Sequence, residues 1–159
     1  MNILISFYSR TGTTRKAAED IEESLVKRDV EVKTEEVIDK KDRDGKTGYI
    51  VAGKDAMMKK ETEIEEVSYN PENFDMLVVG TPVWAGKVTP AIRTYLEKYK
   101  DEIDHAAFFC THGGGGESNT FNDMKEIIGE PKEVLTLRDK EVKEGEHLDN
   151  LSNFIESIL

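Results

Sequence analysis

The chain has 159 residues, of which 33 are acidic and 22 are basic, and its formal net charge is −11. This length fits a single domain, 1–159, and the acidic balance argues against binding to nucleic acid or to an anionic membrane. One cysteine excludes a disulfide framework and a cysteine-rich metal site, and no segment approaches the apolar length of a membrane span.

Apolar runs alternate with helical patterns along the chain. The runs typical of strands are 2–8, 30–34 with 37–38, 76–80, 105–110 and 133–137. The patterns typical of helices are 13–28, about 48–60, 90–96, 121–128 and 148–158. Five strands alternating with five helices predict an α/β fold with a parallel sheet covered on both faces. Such sheets bind ligands beyond the carboxyl ends of their strands.

Two further segments bear on location and surface. The first residues are typical of a strand and lack the basic region and cleavage site of a signal peptide, which predicts a cytoplasmic location. The segments 40–46 and 54–65 are rich in charge and are interpreted as solvated surface, where a partner protein has room to dock.

The most informative segment follows the first strand, and we call it the hydroxyl loop. It contains Ser9, Arg10, Thr11, Gly12, Thr13 and Thr14. The free N–H groups and positive dipole end of the next helix, together with the bare backbone of a glycine, bind phosphate without a lysine. Ser and Thr are also ordinary N-cap residues, but four of them around a glycine exceed what capping requires. The segment therefore predicts a phosphate site.

Two more unusual loops follow the third and fourth strands. The tryptophan loop contains Thr81, Pro82, Val83, Trp84, Ala85 and Gly86. The glycine loop contains Thr111, His112, Gly113, Gly114, Gly115 and Gly116. In a parallel sheet all three loops lie on one rim, so they can converge on one ligand. A tryptophan there suits stacking on a flat heterocycle, and bare glycine backbone can bond its polar edge.

With these three loops in this order, the whole chain resembles the flavodoxin family. Ser9, Thr11, Gly12 and Thr14 match that family's phosphate pattern, and the segment from Gly80 to Trp84 resembles its ring-contacting loop. The segment 48–57 is similar to one found in a subgroup of bacterial and archaeal flavodoxin-like proteins.

The resemblance implies a three-layer sandwich whose five-stranded parallel sheet has the order 2-1-3-4-5, of the short-chain type, with FMN bound non-covalently. It implies that the hydroxyl loop holds the phosphate. It also implies that Thr81 to Gly86 line one side of the ring, with Trp84 stacking, and that Thr111 to Gly115 line the other side and the pyrimidine edge.

One departure from the family pattern concerns the outer face of the flavin. Many flavodoxins place a tyrosine in the third loop, but no tyrosine lies between residues 111 and 121 here. Either the outer face is open, or His112, Phe121 or Tyr49 covers it. An open face would admit a substrate, so reductase activity stays an alternative.

The resemblance implies a low-potential carrier that shuttles single electrons between redox partner proteins. The acidic surface suits docking onto basic patches of those partners, because complementary charge speeds encounter. The alternative is an FMN-dependent NAD(P)H:quinone or acceptor oxidoreductase, although no second glycine-rich strand-to-helix turn for a dinucleotide is present. Whether the chain is a carrier or a turnover enzyme stays open, and the carrier is favoured.

Other classes of function fit the residues less well. A receiver domain needs acids at the end of its first strand, and Ser6, Phe7 and Tyr8 are found there. A small phosphatase needs a nucleophilic cysteine, but Cys110 ends a buried strand and is interpreted as core. No spacing of His, Cys or carboxylates predicts a metal site. His105 and His147 are predicted to be exposed, whereas protonation of His112 would make the potential of a nearby cofactor pH-dependent.

Overall fold

The computed structural model describes residues 1–159 as one five-stranded parallel sheet with helices on both faces. The strands are β1 (Asn2–Phe7), β2 (Glu31–Glu36), β3 (Met76–Pro82), β4 (Ala106–His112) and β5 (Val134–Arg138). The helices are α1 (Thr13–Val26), α2 (Gly45–Met57), α3 (Pro90–Tyr99), α4 (Glu117–Ile128), α5 (Asp139–Glu144) and α6 (Leu148–Ile158). The strand order is β2-β1-β3-β4-β5 and all pairs are parallel, which confirms the predicted fold class.

The burial of each strand follows its position in the sheet. β1, β3 and β4 occupy the centre and bury nearly every side chain, because helices cover both of their faces. β2 and β5 lie at the edges and alternate between more and less exposed residues. Every central strand therefore ends at the same rim, and this rim carries all three loops predicted from the sequence.

Two apolar clusters separate the sheet from its helices. On one face, α1 and α6 pack on the sheet through Ile21, Leu25, Phe154 and their neighbours. On the other face, α3 and α4 pack through Ile92, Tyr95, Met124 and the residues around them. α2 lies on the side of α3, and the apolar residues that it buries, Ala52 and Ala56, are small. α2 is therefore the helix that leaves most of its large apolar side chains outside the core.

A glycine in the central strand β3 allows the sheet to pack on a large aromatic ring. A Cβ atom at Gly80 would overlap the ring of Phe109 on the neighbouring strand. Phe109 is fully buried in the same cluster as α1 and α6. Gly80 is therefore required by close packing in the strand that leads into the tryptophan loop.

Several boundaries differ from the sequence prediction. Thr81 and Pro82 belong to β3, and Thr111 and His112 belong to β4, so the tryptophan and glycine loops begin inside strands. α2 covers 45–57 rather than 48–60, and α4 begins at Glu117 rather than at residue 121. The short helix α5 was not predicted, since it buries only one apolar side chain.

One histidine prediction is wrong. His147 is almost fully buried, and its Nε2 lies 2.7 Å from Oδ2 of Asp20 on α1. Its Nδ1 lies 3.3 Å from the carbonyl oxygen of Glu141. The partners that bury this ring are distant in sequence, which is why its charged surroundings in the chain suggested exposure. His105 is exposed, as predicted. No helix has both the length and the apolar character needed to cross a membrane.

Candidate functional site

A cavity of about 650 Å³ opens at the rim where β1, β3 and β4 end. Its volume lies within the range of small-molecule and cofactor sites. The lining residues come from the hydroxyl, tryptophan and glycine loops, from α2 and from the start of α5. They are Arg10, Thr11, Thr13, Thr14, Tyr49, Ile50, Ala52, Gly53, Lys54, Met57, Pro82, Val83, Trp84, Ala85, Thr111, His112, Gly113 and Asp139.

The hydroxyl loop presents free backbone donors at the N-terminus of α1. Gly12 adopts a φ of 101°, and its N–H donates to Ser9 Oγ at 3.0 Å. The first helical bond runs from Lys16 N to Gly12 O, so the N–H groups of Thr13 and Thr14 have no partner within the helix. No side chain caps this end and no acid lies in its first turn. The loop therefore has the form and the electrostatics of an anion site.

A buried pair of hydroxyls joins the hydroxyl loop to the glycine loop. Oγ1 of Thr14 lies 2.7 Å from Oγ1 of Thr111, and both residues are almost fully buried. Because each threonine also lines the cavity, this hydrogen bond fixes two of the cavity walls relative to each other. The site is therefore assembled by contacts between its own loops.

The tryptophan loop ends in a tight turn. Trp84 and Lys87 exchange backbone hydrogen bonds of 3.2 Å and 2.9 Å. Ala85 and Gly86 between them have φ values of 50° and 69°, which is the pattern of a type I′ turn. A positive φ at a residue other than glycine is uncommon and stores a small amount of strain. The turn therefore brings backbone peptide groups to the cavity wall at Ala85.

The ring of Trp84 is fixed from two directions. Tyr8 packs against it edge-on, with ring centroids 5.3 Å apart and an interplanar angle of 89°. The Arg43 guanidinium lies 5.7 Å from the Trp84 ring centroid. Burial, with Asp39 nearby, raises the pKa of Tyr8 to about 12, so its phenol stays neutral. Trp84 therefore enters the cavity wall with a defined orientation.

His112 lies in the glycine loop with its ring turned into the protein. It is 7% exposed, and its Nδ1 accepts a hydrogen bond of 2.9 Å from the backbone N–H of Gly115. A neutral ring that accepts at Nδ1 carries its proton on Nε2. His112 lines the cavity, and its Nε2 makes no hydrogen bond to the protein.

α2 supplies a wall that was not included among the predicted site residues. Six of its residues line the cavity: Tyr49, Ile50, Ala52, Gly53, Lys54 and Met57. They fall at helical spacing on one side of α2. Sequence analysis had named Tyr49 as one possible cover of the flavin, and the resemblance of segment 48–57 to a flavodoxin-like subgroup was the available signal for the other five.

A buried ion cluster fastens α2 to the segment before it. Arg43 donates from Nε to Asp39 Oδ2 at 2.6 Å and from Nη1 to Asp55 Oδ2 at 3.1 Å. Arg43 is 4% exposed, so the interpretation of 40–46 as solvated surface is wrong at this residue. Burial alone would raise the pKa of Asp55, but hydrogen bonds from Lys41 and Arg43 hold that pKa below its usual value.

Eleven of the seventeen predicted site residues line the cavity. The other six lie beside it, in the same loops: Ser9, Gly12, Thr81, Gly86, Gly114 and Gly115. Ser9 and Gly12 shape the turn of the hydroxyl loop, and Thr81 is buried with its hydroxyl 3.2 Å from that of Thr89. Gly114 and Gly115 are exposed to solvent and lie outside the set of residues that line the cavity.

The remaining reactive groups form no second centre. No group of three or more His, Cys, Asp or Glu residues is arranged to hold a metal ion. Cys110 is fully buried, and burial raises the pKa of its thiol to about 12. A thiol of this kind is a poor nucleophile at neutral pH.

Comparison with known proteins finds one matching family model and solved structures of the same fold. A family model described as Flavodoxin matches residues 2–158. A search of curated proteins found no match. The chain is similar to a solved flavoprotein from Lactobacillus acidophilus in complex with FMN, with 28% identity and a TM-score of 0.64, over 90% of this chain and 97% of that chain.

Two more distant structures share the fold. A flavodoxin from Fusobacterium nucleatum, bound to flavin mononucleotide, is 17% identical with a TM-score of 0.63, over 99% of this chain and 96% of that chain. An oxidised flavodoxin from Bacillus cereus is 14% identical with a TM-score of 0.59, over 99% of this chain and 97% of that one.

Proposed function

Because this chain belongs to the flavodoxin family, we propose that it binds FMN and carries single electrons at low potential between redox partner proteins. The observation that carries the proposal is the cavity at the rim of the sheet. It combines an anion site at the N-terminus of α1 with a wall of aromatic and aliphatic side chains. Those two halves match the phosphate and the flat ring of FMN, and FMN is bound in the similar Lactobacillus and Fusobacterium proteins.

The residues present fit FMN at both ends. At the phosphate end, the free N–H groups of Thr13 and Thr14, their hydroxyls and the positive end of the α1 dipole replace a lysine. At the ring end, Trp84 and the apolar side chains of α2 give a surface of the right chemistry for stacking. These residues would hold the cofactor.

The isoalloxazine ring supplies the one-electron chemistry when FMN is bound. The chain supplies binding, orientation and hydrogen bonds. The turn at Ala85 and Gly86 brings peptide groups to the cavity wall, and a turn of this kind can change its peptide orientation at low cost. The Gly115 N–H donates to His112 Nδ1, so the neutral form of this ring has its proton on Nε2. No acid–base triad is needed for electron transfer.

The acidic surface is the proposed docking surface for basic patches of the partners. The net charge is −11, yet residues 40–60 carry seven basic and only three acidic side chains. Five of these bases make ion pairs, whereas Lys46 and Lys54 of α2 make none. The acidic side chains at the rim include Glu117 and Asp139, the first residues of α4 and α5, and Asp139 lines the cavity. Docking on that side would bring a basic partner to the cavity.

One observation favours a second function, an FMN-dependent NAD(P)H:quinone or acceptor oxidoreductase. Arg10, Lys46 and Lys54 lie beside the cavity, and both lysines are exposed. Cations at that place suit the phosphates of a nicotinamide dinucleotide. This alternative is distinguished by consumption of NAD(P)H by the FMN-loaded protein with no partner protein present.

The cytoplasm is the proposed location. The chain has one cysteine, which is free and buried, and a protein without disulfides suits a reducing compartment.

Two measurements test the carrier function. The purified protein should be yellow and release FMN on denaturation; a colourless protein that takes up no added FMN would overturn the proposal. Stepwise anaerobic reduction should then give an unpaired-electron signal at half reduction. Direct two-electron reduction without such a signal, combined with NAD(P)H consumption, would favour the oxidoreductase.

A further inference from the structure

The three most exposed large apolar side chains of this protein all line the cavity. Tyr49, Ile50 and Met57 are 68%, 68% and 62% exposed, and they lie together on the cavity side of α2. Exposed apolar side chains that cluster beside a cavity mark a binding surface rather than ordinary surface. Since α2 has its own buried small residues on the side of α3, these three are not needed for its packing.

Tyr49 is the one candidate for a ring cover that the structure leaves available. Phe121 is buried in the core and stacks on Phe108, with ring centroids 6.4 Å apart. His112 is 7% exposed, and its Nδ1 is engaged by Gly115. Of the three side chains that sequence analysis left open, Tyr49 and His112 line the cavity, and only Tyr49 is exposed there.

The hydroxyl loop contacts the Tyr49 ring through Arg10. The Arg10 guanidinium lies 5.6 Å from the Tyr49 ring centroid, which is a cation–π distance. The same guanidinium donates from Nε to the carbonyl oxygen of Arg43 at 2.9 Å and from Nη2 to that of Gly45 at 3.2 Å. Arg10 therefore orients Tyr49 and also joins the phosphate end of the cavity to the start of α2.

α2 is held firmly enough to place a ring. A Cβ atom at Gly48 would overlap the backbone of Arg43, so the helix packs directly on the preceding segment at this point. The buried Arg43 bonds Asp39 before the helix and Asp55 within it. Tyr49 therefore lies between two points at which α2 is fixed, the backbone contact at Gly48 and the buried ion pair at Asp55.

We propose that Tyr49, supplied by the connection between β2 and β3, stacks on the isoalloxazine ring. It takes the place of the tyrosine that many flavodoxins have in the third loop and that the glycine loop lacks. The inference rests on the proposed FMN function. Arg10 acts as a positioning residue, because it holds the Tyr49 ring from the hydroxyl loop. The remaining face of the Tyr49 ring is then the face that contacts the flavin.

The test is titration of the apo-protein with FMN and, separately, with riboflavin, followed by flavin fluorescence. Tyr49→Ala should weaken FMN binding about tenfold or more, the effect expected from loss of one aromatic stacking partner. Emission of the bound flavin should also rise. Riboflavin affinity should fall by a similar factor, because the ring contact does not involve the phosphate. Tyr49→Phe should keep the wild-type affinity, because its ring still stacks. Tyr49→Trp should keep both the affinity and the quenching, because tryptophan, like tyrosine and unlike phenylalanine, donates an electron to the excited flavin.

Met58→Ala is the matched control, since Met58 is an exposed neighbour on the same segment outside the cavity, and it should change neither readout. Equal affinity and emission in wild type and Tyr49→Ala would overturn the inference. So would a Tyr49→Phe variant as weak as Tyr49→Ala, since the hydroxyl would then be the active group. Failure of the wild-type protein to bind FMN would instead overturn the proposed function and this inference with it.

Discussion

The side-chain hydroxyls of Thr14 and Thr111 meet at 2.7 Å although 97 residues separate them in the chain. This contact joins the first turn of α1 to the end of β4, inside the protein and at the wall of the cavity. Removal of one partner leaves the other hydroxyl buried without a hydrogen bond. The pair therefore links the stability of the fold to the geometry of the site.

Thr111→Val should lower the free energy of unfolding by about 1 kcal/mol, because Thr14 loses its partner while the shape of the side chain is kept. FMN affinity should also fall, since Thr14 lies in the hydroxyl loop. Urea unfolding and FMN titration measure the two effects. Thr47→Val, at an exposed position on α2 outside the cavity lining, is the control and should leave both nearly unchanged. An unaltered unfolding curve for Thr111→Val would contradict the prediction.

Gly12→Ala tests the backbone of the hydroxyl loop. Gly12 has a φ of 101°, and an added Cβ would meet only Arg15 Nη1, at 3.8 Å. The cost is therefore conformational and should be about 1 kcal/mol in unfolding free energy, with weaker FMN binding. Gly114→Ala is the control, because its φ lies outside the left-handed region and nothing lies within 4 Å of its Cβ. Equal stability losses in both variants would contradict a special role for Gly12.

The contribution of Asp55 to the free energy of unfolding should depend on pH. Its folded pKa is held below the unfolded value, so its contribution is present above the unfolded pKa and is lost as pH falls through the folded pKa. Asp55→Asn should lower the free energy of unfolding by about 3 kcal/mol at neutral pH, because the buried Arg43 loses a partner. The difference from wild type should shrink on acidification.

Urea unfolding between about pH 7 and about pH 3 checks the Asp55 prediction. Asp101→Asn, at an exposed carboxylate, is the matched control and should track the wild type across this range. A loss in Asp55→Asn that stays constant down to the lowest pH would show that the carboxylate charge is not responsible.

Cys110 should be unreactive in the folded protein. It is fully buried, and its thiol pKa of about 12 leaves very little thiolate at neutral pH. Ellman's reagent should modify it only as fast as the protein unfolds, and at once in denaturant. Ser118→Cys adds an exposed thiol as an internal control that should react immediately. Rapid modification of Cys110 in native buffer would contradict the prediction, and Cys110 would again be a candidate for the nucleophile of a small phosphatase.

Electron transfer to a basic protein should depend on salt. With cytochrome c as the acceptor, the rate of oxidation of the reduced FMN-loaded protein should fall as ionic strength rises. Glu117→Gln with Asp139→Asn should slow the low-salt rate about twofold or more, whereas Lys54→Gln should not slow it. A rate that rises with salt, or that falls only in Lys54→Gln, would place the docking surface at α2.

The strands were predictable because burial on two faces demands continuous apolar residues. The runs 76–80 and 105–110 became the central strands β3 and β4. Their last residues were missed because Thr81, Pro82, Thr111 and His112 are polar or atypical of strands. α4 was placed too late for a similar reason, since Glu117 to Asn119 show no apolar periodicity.

The buried charges were not predictable from local pattern. Arg43 lies in a run of charged residues that is typical of solvent-exposed loops, and its burial depends on Asp55, a residue of the next helix. His147 is likewise buried by Asp20, which is 127 residues away. Each pairing offsets the cost of burying a polar group, and such pairings follow from the tertiary arrangement.

The part of the candidate site at the ends of the strands was predictable from the sequence. The wall formed by α2 was not, apart from Tyr49. The three loops converge because parallel strands share one rim, so most of their predicted residues line the cavity. α2 reaches the same cavity through the direct packing of Gly48 on Arg43, a contact that no local pattern encodes. Ile50 and Met57 were therefore predicted only as members of a helical pattern, without a place at the site.

Lys46 and Lys54 of α2 make no ion pair, whereas Glu117 and Asp139 place negative charge at the starts of α4 and α5. Charges of opposite sign on different elements around one cavity respond differently to the field of an approaching molecule. Under the proposed docking, a basic partner would be attracted to the side of Glu117 and Asp139 and repelled from α2 before any surfaces touch. The sign of the partner's charge would then select the edge of the cavity that it approaches.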